Sequence, residues 1–193
     1  VYSLCRCSHN VRSLKDKAKG AQGMFRQRAW RREACRMELK DKIIASVSIR
    51  AMKEEDYDKV YSLWKTIKGF GIRSMDDSRE GIKRFLKRNP TTSVVALADD
   101  EVVGAILCGH DGRRGCFYHV CVREDYRQRG IGKEMAVFAM RALQEEHINK
   151  VCLIAFKKNE VGNCFWKSVG WTFREDLNYY DFVLNDANIT TFQ

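Results

Sequence analysis

The chain has 193 residues, and its 35 Lys and Arg against 25 Asp and Glu give a formal net charge of +10. Apolar residues make up 45% of the sequence, a fraction that can bury a core and that disordered chains do not reach. The longest apolar run, residues 151–156, is far shorter than the roughly 20 residues of a transmembrane helix. We therefore expect a globular domain and no membrane partner.

The positive charge is concentrated at the start of the chain. Residues 1–36 contain ten basic and two acidic residues, so they carry +8 and the rest of the chain carries +2. We expect residues 1–36 to be a basic leader, disordered or non-native, and residues 37–193 to form the domain. A transit peptide or an arm that binds nucleic acid are the alternatives. The leader has no fold signature of a nucleic-acid-binding module, so nucleic acid is not the partner that we favour.

The eight cysteines do not form a C-x-x-C motif. Five of them lie in apolar runs, which is typical of buried free thiols in a reducing compartment. The sequence therefore predicts a cytoplasmic protein without a metal site. These five are Cys108, Cys116, Cys121, Cys152 and Cys164.

The first half of the domain predicts strands and helices in alternation. A strand over residues 43–49 precedes a helix with Asp56 as its N-cap, and Asp77-Ser78 can cap a second helix that ends at Pro90. Three β runs follow, joined by an acidic turn and by an Asp-Gly turn, and predict an antiparallel meander. They cover residues 93–98, 101–109 and 116–122.

The second half predicts a parallel crossover. An amphipathic helix that includes Met135 and Leu143 leads to an interior strand over residues 150–156, which would pair in parallel with the strand before the helix. A helix over 160–169 follows, then strands near 171–174 and 179–184 and a frayed tail. The predicted fold is α/β (α+β), with a mixed central sheet of about seven strands flanked by about four helices.

The stretch from Val120 to Gly132 predicts an anion site. Gly130 and Gly132 permit a tight turn from strand to helix, and the first amides of that helix point outward at the positive end of its dipole. Basic side chains surround the turn at Arg127, Arg129 and Lys133. A P-loop is excluded because Glu134 stands where Ser or Thr is needed, and a dinucleotide fingerprint is excluded because Met135 stands where Gly is needed.

This loop resembles the acetyl-CoA loop of the Gcn5-related N-acetyltransferase (GNAT) superfamily. Arg127-x-x-Gly130-x-Gly132 matches the pattern Gln/Arg-x-x-Gly-x-Gly/Ala, and Val120-x-Val122 fits the end of the strand before it. Asn159 through Gly170-Trp171 fits a second motif of the superfamily, and the hairpin over 109–115 resembles that of small single-domain bacterial members. The resemblance covers residues 43–184 and omits the leader.

The resemblance implies transfer of an acetyl group from acetyl-CoA to a primary amine, which attacks directly within a ternary complex. A backbone N–H near Val120 would polarise the acetyl carbonyl. The alternative is an acyl-CoA-binding regulatory module with little turnover. The residues implied in cofactor binding are Val120, Cys121, Val122, Arg127, Gln128, Arg129, Gly130, Ile131, Gly132, Lys133, Asn159 and Trp166.

Four side chains are candidates for the proton transfers. Strand alternation puts Tyr118 and His119 on opposite faces, and the superfamily's geometry favours Tyr118, or a water that it holds, as the base. A lone histidine in an apolar strand is more often a core residue, although the ordinary pKa of histidine suits a base. Trp166 stands at the usual position of a tyrosine acid, so that role is vacant or moves to Tyr179 or Tyr180. The acceptor amine is not identified by the sequence, and a homodimer through the final strands is expected.

Overall fold

The computed structural model describes residues 46–193. The predicted leader boundary at residue 36 and the first residues of the predicted strand over 43–49 lie outside this range. The described strands are β1 (Val47–Ala51), β2 (Gly71–Arg73), β3 (Val94–Ala98), β4 (Glu101–His110), β5 (Gly115–Val122), β6 (Val151–Leu153) and β7 (Thr190–Phe192). The described α-helices are α1 (Tyr57–Thr66), α2 (Arg79–Arg88), α3 (Ile131–Glu145) and α4 (Glu160–Ser168).

The strands form a mixed five-stranded sheet and a separate two-stranded one. The large sheet has the order β1-β3-β4-β5-β6, and only the β5–β6 pair is parallel. β2 and β7 pair with each other in antiparallel orientation. The predicted mixed α/β class, the meander and the parallel pair are confirmed, whereas one sheet of about seven strands is wrong.

Helices cover both faces of the large sheet. Along β3, Val95 and Leu97 belong to the core beneath α1 and α2, whereas Val94 and Ala96 belong to the core beneath α3. All five residues of β3 are buried, because alternate side chains of a strand enter opposite cores. The two faces are called the α1–α2 face and the α3 face below.

The two predicted helix caps differ in outcome. Ser78 caps α2, since its Oγ accepts a hydrogen bond from the amide of Gly81 at 3.1 Å. Asp56 does precede α1, but its carboxylate makes no cap bond. Both of its oxygens instead accept hydrogen bonds from the guanidinium of Arg50, each at 2.7 Å, because the planar fork of arginine matches a carboxylate.

The predictions for the end of the chain are largely wrong. β6 ends at Leu153 and forms an edge, so Ile154 is 65% exposed rather than part of an interior strand. Residues 171–184 form neither of the two expected strands. The tail that should fray contains β7, whose pairing with β2 depends on residues more than a hundred positions away. Within residues 46–193, no helix is long and apolar enough to cross a bilayer.

Candidate active site

The loop before α3 presents a row of free amides. Gln128 and Gly130 adopt positive φ angles of 59° and 88°, and α3 begins at the next residue. The first paired amides are those of Lys133 and Glu134, which donate to the carbonyl of Gly130 at 3.0 and 3.1 Å. In the described part of the chain, the amides of residues 128–132 have no hydrogen-bond acceptor. Five successive N–H groups at a helix N-terminus form a cradle for an anion, as the sequence predicts.

Basic side chains lie at the rim of this cradle. The Nε of Arg127 donates to the carbonyl of Val122 at 2.9 Å, which ties the loop to the end of β5. The guanidinium of Arg129 lies over the ring of Tyr126, 4.8 Å from its centre. Beside the loop is an open cleft of about 430 Å³. It is lined by Thr66, Ile67, Arg123, Glu124, Asp125 and Arg127.

β5 has an open edge next to the cradle. Its pairing with β6 ends at Phe117 and Leu153, whereas β5 itself continues to Val122. Among the described residues, no strand pairs with this side of residues 118–122. An extended chain with amide groups can add there as a strand. The unpaired part of β5 includes Val120, Cys121 and Val122, three of the residues that the resemblance implies in cofactor binding.

A β-bulge interrupts the pairing of β5 with β4, on the side of β5 opposite this open edge. Leu107 of β4 opposes Tyr118 and Ala105 opposes Cys121, so His119 and Val120 together face Ile106 alone. His119 has a φ angle of 47°, a left-handed conformation that is uncommon for residues other than glycine.

The bulge puts Tyr118 and His119 on the same side of the sheet. The ring of Tyr118 meets Phe85 of α2 edge-on at 6.0 Å, and the ring of His119 lies 4.8 Å from that of Trp64 in α1. Val120 packs against the core of the α3 face. The prediction that Tyr118 and His119 lie on opposite faces is wrong, because strict alternation holds only in a strand without a bulge.

His119 has a carboxylate partner. Its Nε2 lies 2.7 Å from Oδ1 of Asp77, whose side chain is 5% exposed. The imidazole also lies between the rings of Trp64 and Phe70, at 4.8 and 4.7 Å. Sequence analysis assigned Asp77 only to helix capping, and a separation of 42 residues leaves no local signal for this pair.

Tyr118 is suited to donate a proton. Burial, together with a hydrogen bond to Cys116, raises the pKa of Tyr118 above its ordinary value although the residue is 47% exposed. The phenol therefore stays protonated at neutral pH. This favours the role of an acid over the role of a base that the sequence suggested.

The described cysteines are free thiols, as predicted, but not all are buried. Burial raises the pKa of Cys108 and of Cys121 to about 12, so both stay protonated. Cys152 and Cys164 are exposed, contrary to expectation, because β6 is an edge and α4 buries no residue. No three potential metal ligands come together within residues 46–193.

Two other candidate residues, Asn159 and Tyr179, differ in their surroundings. The side-chain oxygen of Asn159 accepts a hydrogen bond from the amide of Gly162 at 3.0 Å, so this residue caps α4. Tyr179 is 65% exposed in an irregular segment, and it makes no hydrogen bond or ring contact within the described chain. The structure therefore does not bring Tyr179 to Tyr118 or His119.

Trp166 packs in an aromatic cluster, which predicts how its replacement will behave. Its ring lies 6.1 Å from Phe117, 4.7 Å from Trp171 and 4.9 Å from Phe165. We expect Trp166→Phe to lower the free energy of unfolding by about 1–2 kcal/mol and to leave the KM for acetyl-CoA within about threefold. Denaturant unfolding and steady-state kinetics measure the two quantities. A tenfold rise in KM would instead place the indole against the cofactor.

Comparison with known proteins shows the same domain in other organisms. The model of the Acetyltransferase (GNAT) family matches residues 57–171. Acetyltransferase SG1711 of Sodalis glossinidius (strain morsitans) is 36% identical over 89 residues, which cover 46% of this chain and 61% of that protein. Acetyltransferase ECA0875 of Pectobacterium atrosepticum is 29% identical over 114 residues, which cover 59% of this chain and 79% of that protein.

Solved structures share the fold at low identity. An aminoglycoside acetyltransferase from a soil metagenomic sample, meta-AAC0020 in complex with sisomicin, has a TM-score of 0.58 at 20% identity and covers 74% of this chain and 99% of its own. AAC(6')-Iy in complex with a CoA bisubstrate analogue has a TM-score of 0.57 at 16% identity, with 71% and 98% covered. The family match runs from α1 through the amide cradle to Trp171, and the chain therefore belongs to the acetyltransferase (GNAT) family.

Proposed function

We propose that this protein is an acetyl-CoA-dependent N-acetyltransferase that acts on a primary amine. The observation that carries the proposal is the row of five free amides beside the open edge of β5. Membership of the acetyltransferase family supports it, as does the CoA-derived ligand of the related AAC(6')-Iy. Acetyl-CoA combines a pyrophosphate with an extended arm that contains amides, and it supplies an activated acetyl thioester.

The residues present fit such a molecule. The amides of residues 128–132 would hold the pyrophosphate, with Lys133 and Arg129 at its rim. The main chain from Val120 to Val122 would pair with the arm as a neighbouring strand does. In this arrangement, the reacting end of the arm would lie beside the β-bulge, at Tyr118 and His119.

Three groups at the bulge would polarise the carbonyl, accept a proton and donate a proton. The N–H of Val120 would donate a hydrogen bond to the carbonyl oxygen, where negative charge develops. A neutral imidazole at His119 would accept the proton that the attacking amine gives up. The phenol of Tyr118, which is protonated at neutral pH, would return a proton to the departing sulfur.

Binding and turnover test the proposal separately. At acetyl-CoA concentrations near 100 times Kd, a ligand that binds only the folded state stabilises it by about 2.7 kcal/mol, which raises Tm by several degrees. Release of CoA thiol with a panel of primary amines then measures transfer. A Tm that does not move with acetyl-CoA contradicts the proposal, and binding without thiol release favours the regulatory module.

A further inference from the structure

We propose that Asp77 is a positioning residue of the transfer reaction, one that keeps Nδ1 of His119 free of a proton and able to accept one. This inference rests on the proposed function. The inference adds to that function a residue from outside β5, and it assigns the tautomer of the base. The evidence is the His119–Asp77 pair and its surroundings.

The carboxylate of Asp77 is held in place before it meets His119. Its Oδ2 accepts a hydrogen bond from the amide of Arg73 at 2.6 Å, and its main-chain carbonyl accepts one from the hydroxyl of Tyr57 at 2.9 Å. Oδ1 is thereby directed to Nε2 of His119, at 2.7 Å. A buried carboxylate with one oxygen bonded to a main-chain amide, on a residue whose own carbonyl is also hydrogen-bonded, is a rigid acceptor for a single ring nitrogen.

This contact selects one tautomer of the neutral ring. A carboxylate only accepts hydrogen bonds, so Nε2 must carry the proton and Nδ1 must present its lone pair. Within residues 46–193, Nδ1 has no hydrogen-bond partner. The side chain of His119 is 20% exposed, so a substrate amine can reach one part of the ring. The histidine of a Ser-His-Asp triad likewise donates from one ring nitrogen to a carboxylate and accepts a proton at the other.

Aromatic side chains enclose the ring of His119. It lies against Trp64 of α1 and against Phe70, and Trp64 is fully buried, so this wall of the site is closed to solvent. Burial raises the pKa of Tyr57 and of Tyr118, and raises that of Cys121 to about 12, so these groups are neutral at neutral pH. Within residues 46–193, the carboxylate that contacts the ring is that of Asp77.

Asp77→Asn tests the positioning role in the full-length protein. The amide of asparagine can still accept from Arg73, but its NH₂ donates to Nε2 and so moves the proton to Nδ1. We expect long-range ¹H–¹⁵N spectra of His119 to show a protonated Nε2 in the wild type and a protonated Nδ1 in the variant. We expect kcat with an acceptor amine to fall by at least about 100-fold, the scale of general-base catalysis, with the KM for acetyl-CoA within threefold.

Two further variants separate this role from a structural one. Asp76→Asn neutralises the neighbouring carboxylate, which bonds to Asn188 at 2.7 Å, and should leave kcat and the tautomer unchanged. His119→Asn tolerates the left-handed backbone and, because it removes the base, should lower kcat by at least about 100-fold with the KM for acetyl-CoA within threefold.

The outcomes distinguish the two proposals. A wild type whose Nε2 lacks the proton, or an Asp77→Asn variant that keeps kcat within threefold, would overturn the role of Asp77 and leave the proposed function standing. Loss of kcat in Asp77→Asn together with a collapsed Tm would also count against positioning. A wild type that releases no thiol with any amine would overturn the proposed function and this role with it.

Discussion

Gly130→Ala should raise the KM for acetyl-CoA by about 100-fold, because this glycine shapes the anion cradle. Its φ of 88° is left-handed, a conformation that costs a residue with a Cβ roughly 1–2 kcal/mol. Relief of that strain rotates the peptide planes on either side and turns two amides away from the anion. Hydrogen bonds to a charged group contribute about 1.5–3 kcal/mol each, so loss of two weakens binding by at least about 3 kcal/mol. Steady-state kinetics with varied acetyl-CoA measure the effect.

The hairpin between β4 and β5 offers a matched control. Gly112 has the same φ of 88°, and an added Cβ there would meet no atom within 4 Å. Gly112→Ala should therefore cost about the same stability as Gly130→Ala without changing the KM for acetyl-CoA. If the two variants show the same KM, the cradle is not the pyrophosphate site.

Asp56→Ala should lower the free energy of unfolding by about 3 kcal/mol, since it leaves Arg50 and the amide of Lys53 without their partner. The carboxylate is 5% exposed and accepts hydrogen bonds from the guanidinium and from that amide, the latter at 2.8 Å. Urea denaturation at pH 7 measures the change. Asp58→Ala is the control, because its ion pair with Arg79 is exposed and should contribute about 0.2–1 kcal/mol.

The contribution of Asp56 should shrink in acid. Burial alone would raise its pKa, but the hydrogen bonds from Arg50 and Lys53 outweigh burial, and the pKa lies below its ordinary value. A depressed pKa in the folded state stabilises the protein above the pKa of the unfolded chain, about 3.9, and this part of the contribution is lost as pH falls through the folded value. The stability difference between the wild type and Asp56→Ala should therefore narrow as the pH falls below about 4. A difference that stays constant down to pH 2 would contradict this account.

The position of Tyr118 and His119 shows how one backbone irregularity redirects a functional assignment. Strand alternation assigned His119 to the face away from the substrate, and its isolation in the sequence favoured a packing role. The bulge reverses the first inference, and Asp77 is the partner on which the proposed role of His119 rests. Neither feature follows from the residues near His119, because a bulge depends on the register of two strands and the hydrogen bond joins positions 42 residues apart.

Local sequence by itself determined the elements that carry the proposed cofactor site. The β4–β5 hairpin, the turn at Gly130 and the start of α3 follow from short-range preferences: alternation, left-handed glycine and the free amides of a helix N-terminus. Tertiary structure alone decided which distant groups meet: β2 with β7, and His119 with Asp77. Backbone conformation is set largely within a few residues, whereas a partner across the fold is chosen by packing of the whole domain. The amide cradle was therefore visible in the sequence, and the histidine–aspartate pair was not.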